Sequence, residues 1–195
     1  MRIAIYSGSF NPVHNGHMAI AKAALSEGFD EVWLIVSPHN PHKKEDDLWP
    51  FEMRLEMVNL AIGTFPGLKS SDCETKLPRP SYTINTLKHL RMTYPQHLFK
   101  LLIGGDNLQK FKLWKDYRQI LDQFGLIVYP RSADNQASIE TDPNILRIQA
   151  PLLEISSSEI RNRLSKNESI HGMVPDQVEK YLLQKLKADP AKSVF

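Results

Sequence analysis

The chain has 195 residues, 42% hydrophobic and 24% charged, which is the composition of a globular protein with a sizeable core. A net charge of +2, with basic residues scattered among acidic ones, argues against nucleic acid or an anionic membrane surface as a partner. The single cysteine, Cys73, excludes an internal disulfide and fits a reducing compartment. No secretory signal or apolar run of the ~20 residues that a membrane span needs is visible. We therefore expect a cytoplasmic protein.

Short apolar runs alternate with amphipathic segments along the chain. Strands are predicted at 3–6, 32–36, 99–103, 126–129 and 146–148, and helices at 15–27, 51–62, 82–94, 157–164 and 177–186. The polar segments 37–49 and 132–144 are predicted loops, and the first is long enough to suggest a function. The alternation predicts an α/β fold, a parallel sheet with helices on both faces that binds ligands at the carboxyl ends of its strands. We expect one domain over 1–188 and a frayed tail over 189–195.

The first strand leads into a turn that carries two histidines. Gly8 permits close backbone approach and Pro12 stiffens the turn, while His14 and His17 flank the start of a helix. Free amides and the helix dipole favour an anion there, so the imidazoles and amides indicate a phosphate site, with Gly16 leaving room for a base or sugar. Two surface histidines on a glycine turn, or a zinc site, are the alternatives.

A second candidate phosphate site lies near the other end of the chain, at Ile155-Ser156-Ser157-Ser158-Glu159-Ile160-Arg161. Serines before a helical pattern are typical of an N-cap, and Glu159 could complete a capping box with Ser156. Arg161, one turn into the helix, can point back to the same helix start. Amides, hydroxyls and a guanidinium would then converge on one anion. A simple capped helix is the alternative.

The two motifs resemble the signatures of the nucleotidylyltransferase superfamily, Gly-x-Phe-x-Pro-x-His-x-Gly-His and Ile-Ser-Ser-Thr-x-Ile-Arg, with Ser158 at the threonine position. The resemblance implies a Rossmann-like, doubly wound sheet. It implies that His14 and His17 stabilise charge at the α-phosphate of ATP and that the second motif holds the β- and γ-phosphates. The ATP-binding residues that it implies are Gly8, Ser9, Phe10, His14, Gly16, His17, Gly104, Asp106, Ser157, Ser158 and Arg161.

Three further segments resemble the bacterial nicotinate-nucleotide adenylyltransferase family. They are Ser37-Pro38-His39-Asn40-Pro41-His42-Lys43, Ser81-Tyr82-Thr83-Ile84-Asn85-Thr86-Leu87, with Asn85 for the usual aspartate, and Gly105-Asp106 followed by Phe111 and Trp114. The likeness extends over residues 2–182 and implies a mononucleotide site made of Ser9, Lys43, Thr83, Asp106, Trp114, Lys115 and Arg131.

The chemistry of that site fits a pyridine mononucleotide. Trp114 offers an aromatic face for the ring, although a place in the core is equally compatible with it. Asp106, after a strand and two glycines, can accept hydrogen bonds from ribose hydroxyls, or it can cap a helix. The resemblance implies that main-chain N–H groups near Thr83 and after Trp114 meet the pyridine substituent. Such donors favour the carboxylate of nicotinate over the amide of nicotinamide.

The expected reaction is in-line attack of the mononucleotide phosphate on the α-phosphorus of ATP, giving nicotinate adenine dinucleotide (NaAD) and pyrophosphate. The attacking phosphate is already an anion, so catalysis rests on positioning and on positive charge from His14, His17, Lys43 and Arg161. A Mg²⁺ ion held mainly by the phosphates is expected, without a dedicated protein metal site.

Three alternatives to this acceptor and activity remain open. The acceptor could be nicotinamide mononucleotide or phosphopantetheine, although the latter has no ring to stack on Trp114. The chain could be an ATP sensor without chemistry, or a nucleic-acid enzyme related to class I synthetases, although it lacks a basic extension. A homo-oligomer is compatible with all of these.

Overall fold

The computed structural model describes residues 1–38, 48–129, 142–151 and 153–188. Within these ranges six parallel strands form one sheet in the order β3-β2-β1-β4-β5-β6. The strands are β1 (Arg2–Gly8), β2 (Glu31–Val36), β3 (Leu68–Ser71), β4 (Leu98–Gly104), β5 (Leu126–Tyr129) and β6 (Ile145–Arg147). The chain winds outward in both directions from the centre, so the strand order reverses between β1 and β4, whose pairing sets Ile3 opposite Phe99.

Helices cover both faces of the sheet, which confirms the predicted doubly wound α/β fold. They are α1 (Asn15–Ser26), α2 (Phe51–Ile62), α3 (Thr83–Thr93), α4 (Gly105–Lys110), α5 (Tyr117–Gln123), α6 (Ser157–Ser165) and α7 (Asp176–Ala188). Side chains on the two faces of β1 pack into separate apolar cores. Ala4 and Tyr6 pack with residues of α1, α2, α6 and α7. Ile3 and Ile5, on the other face, pack with residues of α3 and α5. Among the described residues, no helix combines the length and apolar character of a membrane span.

The predicted elements are confirmed to within about two residues at each end, and α2 and β5 match at both ends. Gly28 ends the first helix region with a φ of 83°, as its position predicted. The strand β3 was missed because Leu68-Lys69-Ser70-Ser71 has one apolar residue and gains its structure from pairing with β2. The helices α4 and α5 were missed because they are only about two turns long.

This topology brings the carboxyl ends of β1 and β4 together at the point where the strand order reverses. A crevice forms there because the connections from the two strands leave in opposite directions. The glycine turn that follows Gly8 and the segment that begins at Gly104 therefore share one edge of the sheet. The first ATP motif lies on the connection after β1, and Gly104 and Asp106 lie on the connection after β4. The second motif follows β6 and begins α6.

Candidate active site

The glycine turn after β1 is built over a buried aromatic ring. Phe10 takes a left-handed φ of 46°, and its side chain is only 2% exposed. Its ring packs edge-on against Tyr6 and His17. A Cβ at Gly8 would lie 3.2 Å from that ring, so glycine lets the ring lie against the end of the strand. Any contact of Phe10 with a ligand must therefore come from its main chain.

The two histidines lie together at the start of α1. His14 is the N-cap residue and is 4% exposed, and its ring stacks on that of His17 with the centroids 3.6 Å apart. The backbone N–H of His14 donates to Nδ1 of His17 at 3.2 Å. Because Nδ1 of His17 is an acceptor, the neutral ring carries its proton on Nε2, which can donate to an anion.

Gly16 also meets a packing requirement that the sequence did not indicate, because the ring of His14 lies against it. Its expected role, to leave room for a base or sugar, stays a prediction. A Cβ at Gly16 would lie 3.0 Å from Nδ1 of His14. Glycine at this position therefore sets how His14 lies against the helix.

The second motif meets the first in space, as its proposed role requires. Ser157 is the first residue of α6, and its Oγ donates to the carbonyl of Pro12 at 2.9 Å. Nη1 of Arg161 donates to the carbonyl of Asn11 at 2.7 Å. The start of α6 is thus fixed against the turn that precedes the histidines, although more than 140 residues separate them in sequence.

The cap of α6 differs in one detail from the expected capping box. Ser156 is the N-cap, and its Oγ accepts a hydrogen bond from the backbone N–H of Glu159. The carboxylate of Glu159 instead receives Nε of Arg163 at 2.8 Å, a pair at the i,i+4 spacing along the helix. Ser158 is exposed at the same helix start.

The connection after β4 supplies the other side of the crevice. Gly104 is the N-cap of α4, and Asp106 is the second residue of that helix rather than its cap. A Cβ at Gly104 would lie 2.5 Å from Oδ1 of Asp106 and 3.2 Å from the ring of Tyr129. Glycine therefore allows the carboxylate and the phenol to approach the backbone closely. The hydroxyl of Tyr129 lies 3.3 Å from that of Tyr6, which links the ends of β5 and β1.

Lys115, one of the residues assigned to the mononucleotide, lies beside the segment that leads into Thr83, another of them. Thr83 opens α3, directly after Tyr82, and Nζ of Lys115 lies 4.5 Å from the centre of the Tyr82 ring. The neighbouring Trp114 is half-buried and packs against Phe111, so it both touches the core and reaches the surface. Both interpretations of Trp114 therefore remain compatible with its position.

Two predicted site residues, Lys43 and Arg131, lie outside the described residues, as do positions 39–42 of the first acceptor segment and most of the 132–144 loop. Within the described ranges, no three His, Cys, Asp or Glu side chains converge in a way that could hold a metal ion.

A buried carboxylate that was not predicted lies at the end of β1. Glu74, in the 3-10 helix Cys73–Lys76, accepts hydrogen bonds from Ser7 of β1 and Thr86 of α3, both at 3.0 Å. Burial raises the pKa of the Glu74 carboxyl, and its hydroxyl partners offset part of that rise. Glu74 thus joins the end of β1 to the helix that begins at Thr83. The sequence does not predict this role for Glu74, because the strand before it, β3, is not recognisable from its residues.

Sequence comparison agrees with the position of the motifs. A family model described as cytidylyltransferase-like matches residues 5–163. A probable nicotinate-nucleotide adenylyltransferase of Flavobacterium johnsoniae is 42% identical over 185 residues, covering 93% of this chain and 96% of the relative. One from Bacteroides fragilis is 43% identical over 184 residues, covering 94% and 92%. The chain belongs to the nicotinate-nucleotide adenylyltransferase family.

Solved structures agree with that family at the level of the fold. The nicotinic acid mononucleotide adenylyltransferase of Plasmodium falciparum, complexed with NaAD, superposes with a TM-score of 0.75 at 21% identity, covering 96% of this chain and 97% of the other. The same enzyme complexed with APC gives a TM-score of 0.76. The adenylyltransferase fold is therefore retained where the sequences have diverged widely.

Gly16→Ala tests whether the position of His14 matters for the activity of this adenylyltransferase. Alanine favours a helix over glycine by up to about 1 kcal/mol, and the crowding of His14 offsets part of that gain, so the thermal unfolding midpoint should stay close to that of the wild type. The added methyl group forces the His14 ring to shift by a few tenths of an ångström. Because misplacement by about 1 Å can cost ~10²-fold in turnover, we expect adenylyl transfer to fall by less than that, roughly tenfold.

Lys22→Ala, on the exposed face of the same helix, is the matched control. It should leave turnover unchanged. Turnover of Gly16→Ala within twofold of the wild type would show that the packing of His14 against Gly16 has no bearing on activity.

Proposed function

We propose that the chain transfers the AMP part of ATP to nicotinate mononucleotide and releases pyrophosphate, forming NaAD in NAD biosynthesis. The observation that carries this proposal is the contact between the two phosphate motifs, made by Ser157 and Arg161 on the carbonyls of Pro12 and Asn11. Donors from both ends of the sequence face one crevice, which suits a triphosphate. The names of the similar proteins supply the acceptor class.

In this proposal the reaction needs no side-chain nucleophile. A phosphate oxygen of the mononucleotide attacks the α-phosphorus, the bond to the β-phosphate oxygen breaks, and pyrophosphate leaves with the electron pair. The chain contributes alignment and positive charge. Nε2 of His17, protonated because Nδ1 accepts from the His14 backbone, is the donor that we assign to the α-phosphate. Ser157, Ser158 and Arg161 serve the departing pyrophosphate, and Lys43 is proposed to join them.

We propose Mg²⁺ as the cofactor. Substrate phosphates supply oxygen ligands to such an ion, which keeps most of its waters and needs few ligands from the protein. When bound there, the ion offsets the charge that accumulates on the pyrophosphate. The chain's own residues need only position the phosphates, which agrees with the proposed roles of the two motifs.

The pyridine mononucleotide is assigned to the crevice on the α3 side of the sheet. Trp114 offers a half-exposed ring for stacking, and the start of α3 at Thr83 offers main-chain N–H groups to an anionic substituent. Asp106 is assigned to ribose hydroxyls, because it lies at the carboxyl edge of β4, between the two substrate positions. Lys115, Ser9 and Arg131 complete the assignment. We further propose that the reaction takes place in the cytoplasm.

The choice of acceptor is tested by initial rates with nicotinate mononucleotide, nicotinamide mononucleotide and phosphopantetheine at equal concentrations with ATP and Mg²⁺. A hydrogen bond to a charged group contributes about 1.5–3 kcal/mol, so the acid should react about 10- to 100-fold faster than the amide. Phosphopantetheine should give no product. Equal or faster turnover with the amide would contradict the acceptor, and no pyrophosphate release with any of the three would contradict the activity.

His17→Ala tests the proposed mechanism. Removing one well-placed donor to a developing negative charge costs about 10²- to 10³-fold in turnover, so we expect kcat to fall on that scale with the fold intact. His171→Ala is the matched control for the loss of an imidazole, because the His171 side chain is 80% exposed and pairs with Glu179 rather than with a residue of either motif. Only the main chain next to it, at Gly172 and Met173, contacts the first motif, through Asn15. A folded His17→Ala protein with near-normal kcat would remove His17 from the mechanism.

A further inference from the structure

Arg54 is the most fully buried charged residue near the proposed phosphate site. It lies in the first turn of α2 and is 1% exposed. Its guanidinium donates to four main-chain carbonyls: Nη1 to Ser9 at 2.7 Å and to Ser37 at 2.8 Å, Nε to Trp49 at 2.9 Å, and Nη2 to Pro38 at 3.2 Å. One side chain thus joins the turn after β1, the segment after β2 and the segment before α2.

Ion pairing does not account for an arginine at this position. Within the described ranges its guanidinium forms no ion pair, and Glu52 acts on it only at longer range. Burial lowers the pKa of Arg54 to about 10, which reflects the cost of keeping a charge away from water. An apolar side chain of similar length could fill the same space without that cost. The hydrogen bonds to specific carbonyls are what an apolar side chain could not supply.

The bond to Ser9 determines the direction of the next peptide N–H group. The Ser9–Phe10 peptide is trans, so its C=O and N–H point in opposite directions. With the carbonyl of Ser9 fixed on Arg54, the N–H of Phe10 points away from Arg54, and no described residue accepts a hydrogen bond from it. Phe10 also has a left-handed φ, which costs of order 1 kcal/mol or more and needs support from its surroundings.

The same side chain is connected to the second motif. The carbonyl of Trp49 accepts from Arg54, and the N–H of Trp49 donates to Oδ1 of Asn11 at 3.0 Å. The carbonyl of Asn11 in turn accepts from Arg161. A continuous set of hydrogen bonds therefore runs from Arg54 through the glycine turn to the start of α6.

We propose that Arg54 is a positioning residue for adenylyl transfer: by holding the carbonyl of Ser9, it directs the N–H of Phe10 at a phosphate of ATP. Arg54 itself does not touch the substrate. This inference rests on the proposed function, because it assumes that ATP phosphates occupy the crevice beside His14 and His17.

The test compares Arg54→Lys and Arg54→Met with the wild type, using nicotinate mononucleotide and ATP with Mg²⁺. Lysine keeps the charge but cannot reach four carbonyls in a fixed fork, and methionine keeps the length without charge or donors. Arg91→Lys, at an exposed position near the end of α3, is the control for the exchange of arginine for lysine. The quantities measured are kcat per folded molecule, KM for each substrate, and the thermal unfolding midpoint.

We expect kcat of Arg54→Lys to fall by about 10²-fold, as for a misplaced donor, and Arg54→Met to fall further. Arg91→Lys should match the wild type in kcat and in KM for both substrates. A purely structural role predicts earlier melting with an unchanged kcat per folded molecule. That result in Arg54→Lys would overturn the proposal.

If neither variant folds, the proposal is tested by NMR on the main-chain amide of Phe10 in the wild-type protein. The proposal predicts that its proton NMR signal moves downfield and that its hydrogen exchange slows when ATP is added. An unchanged Phe10 amide in the presence of saturating ATP would overturn the proposal. Failure of the proposed function is recognised separately, because the wild type would then give no pyrophosphate with ATP and any pyridine mononucleotide.

Discussion

The site depends on two hydrogen bonds that join distant parts of the chain. Ser157 and Arg161 donate to the carbonyls of Pro12 and Asn11, and they fix the start of α6 against the turn before His14. The reversal of strand order between β1 and β4 opens a crevice at this position. These bonds bring the two helix starts together, and we propose that the space between them holds the phosphates of ATP.

The glycine turn of the first motif adopts a backbone conformation that Phe10 would not favour by itself. Phe10 has a positive φ, and its ring occupies the space that a Cβ at Gly8 would need. Arg54 holds the carbonyl of Ser9, and Arg161 of α6 holds the carbonyl of Asn11. Support from both sides keeps main-chain donors in place before a ligand arrives, and such preorganisation is what electrostatic catalysis requires.

Most of the fold and the outline of the site follow from the sequence, because apolar periodicity and the two motifs are local patterns. The strand β3 does not, since Leu68-Lys69-Ser70-Ser71 is ordered by pairing with β2. Arg54 and Glu74 were also missed. Arg54 resembles any charged residue in an amphipathic helix, and its burial arises only when the segments after β1 and β2 close around it. The packing of Gly16 against His14 could not be inferred from the sequence, because it depends on where the His14 ring lies in the folded protein.

The most direct measurement is a crystal structure of the protein with ATP and Mg²⁺. The account predicts one triphosphate lying between α1 and α6, with the α-phosphate within hydrogen-bonding distance of Nε2 of His17. It further predicts that the β- and γ-phosphates contact Ser158 and Arg161. A triphosphate bound elsewhere on the sheet, or one that contacts the histidines while Arg161 stays more than 6 Å away, roughly two hydrogen-bond lengths, would contradict it.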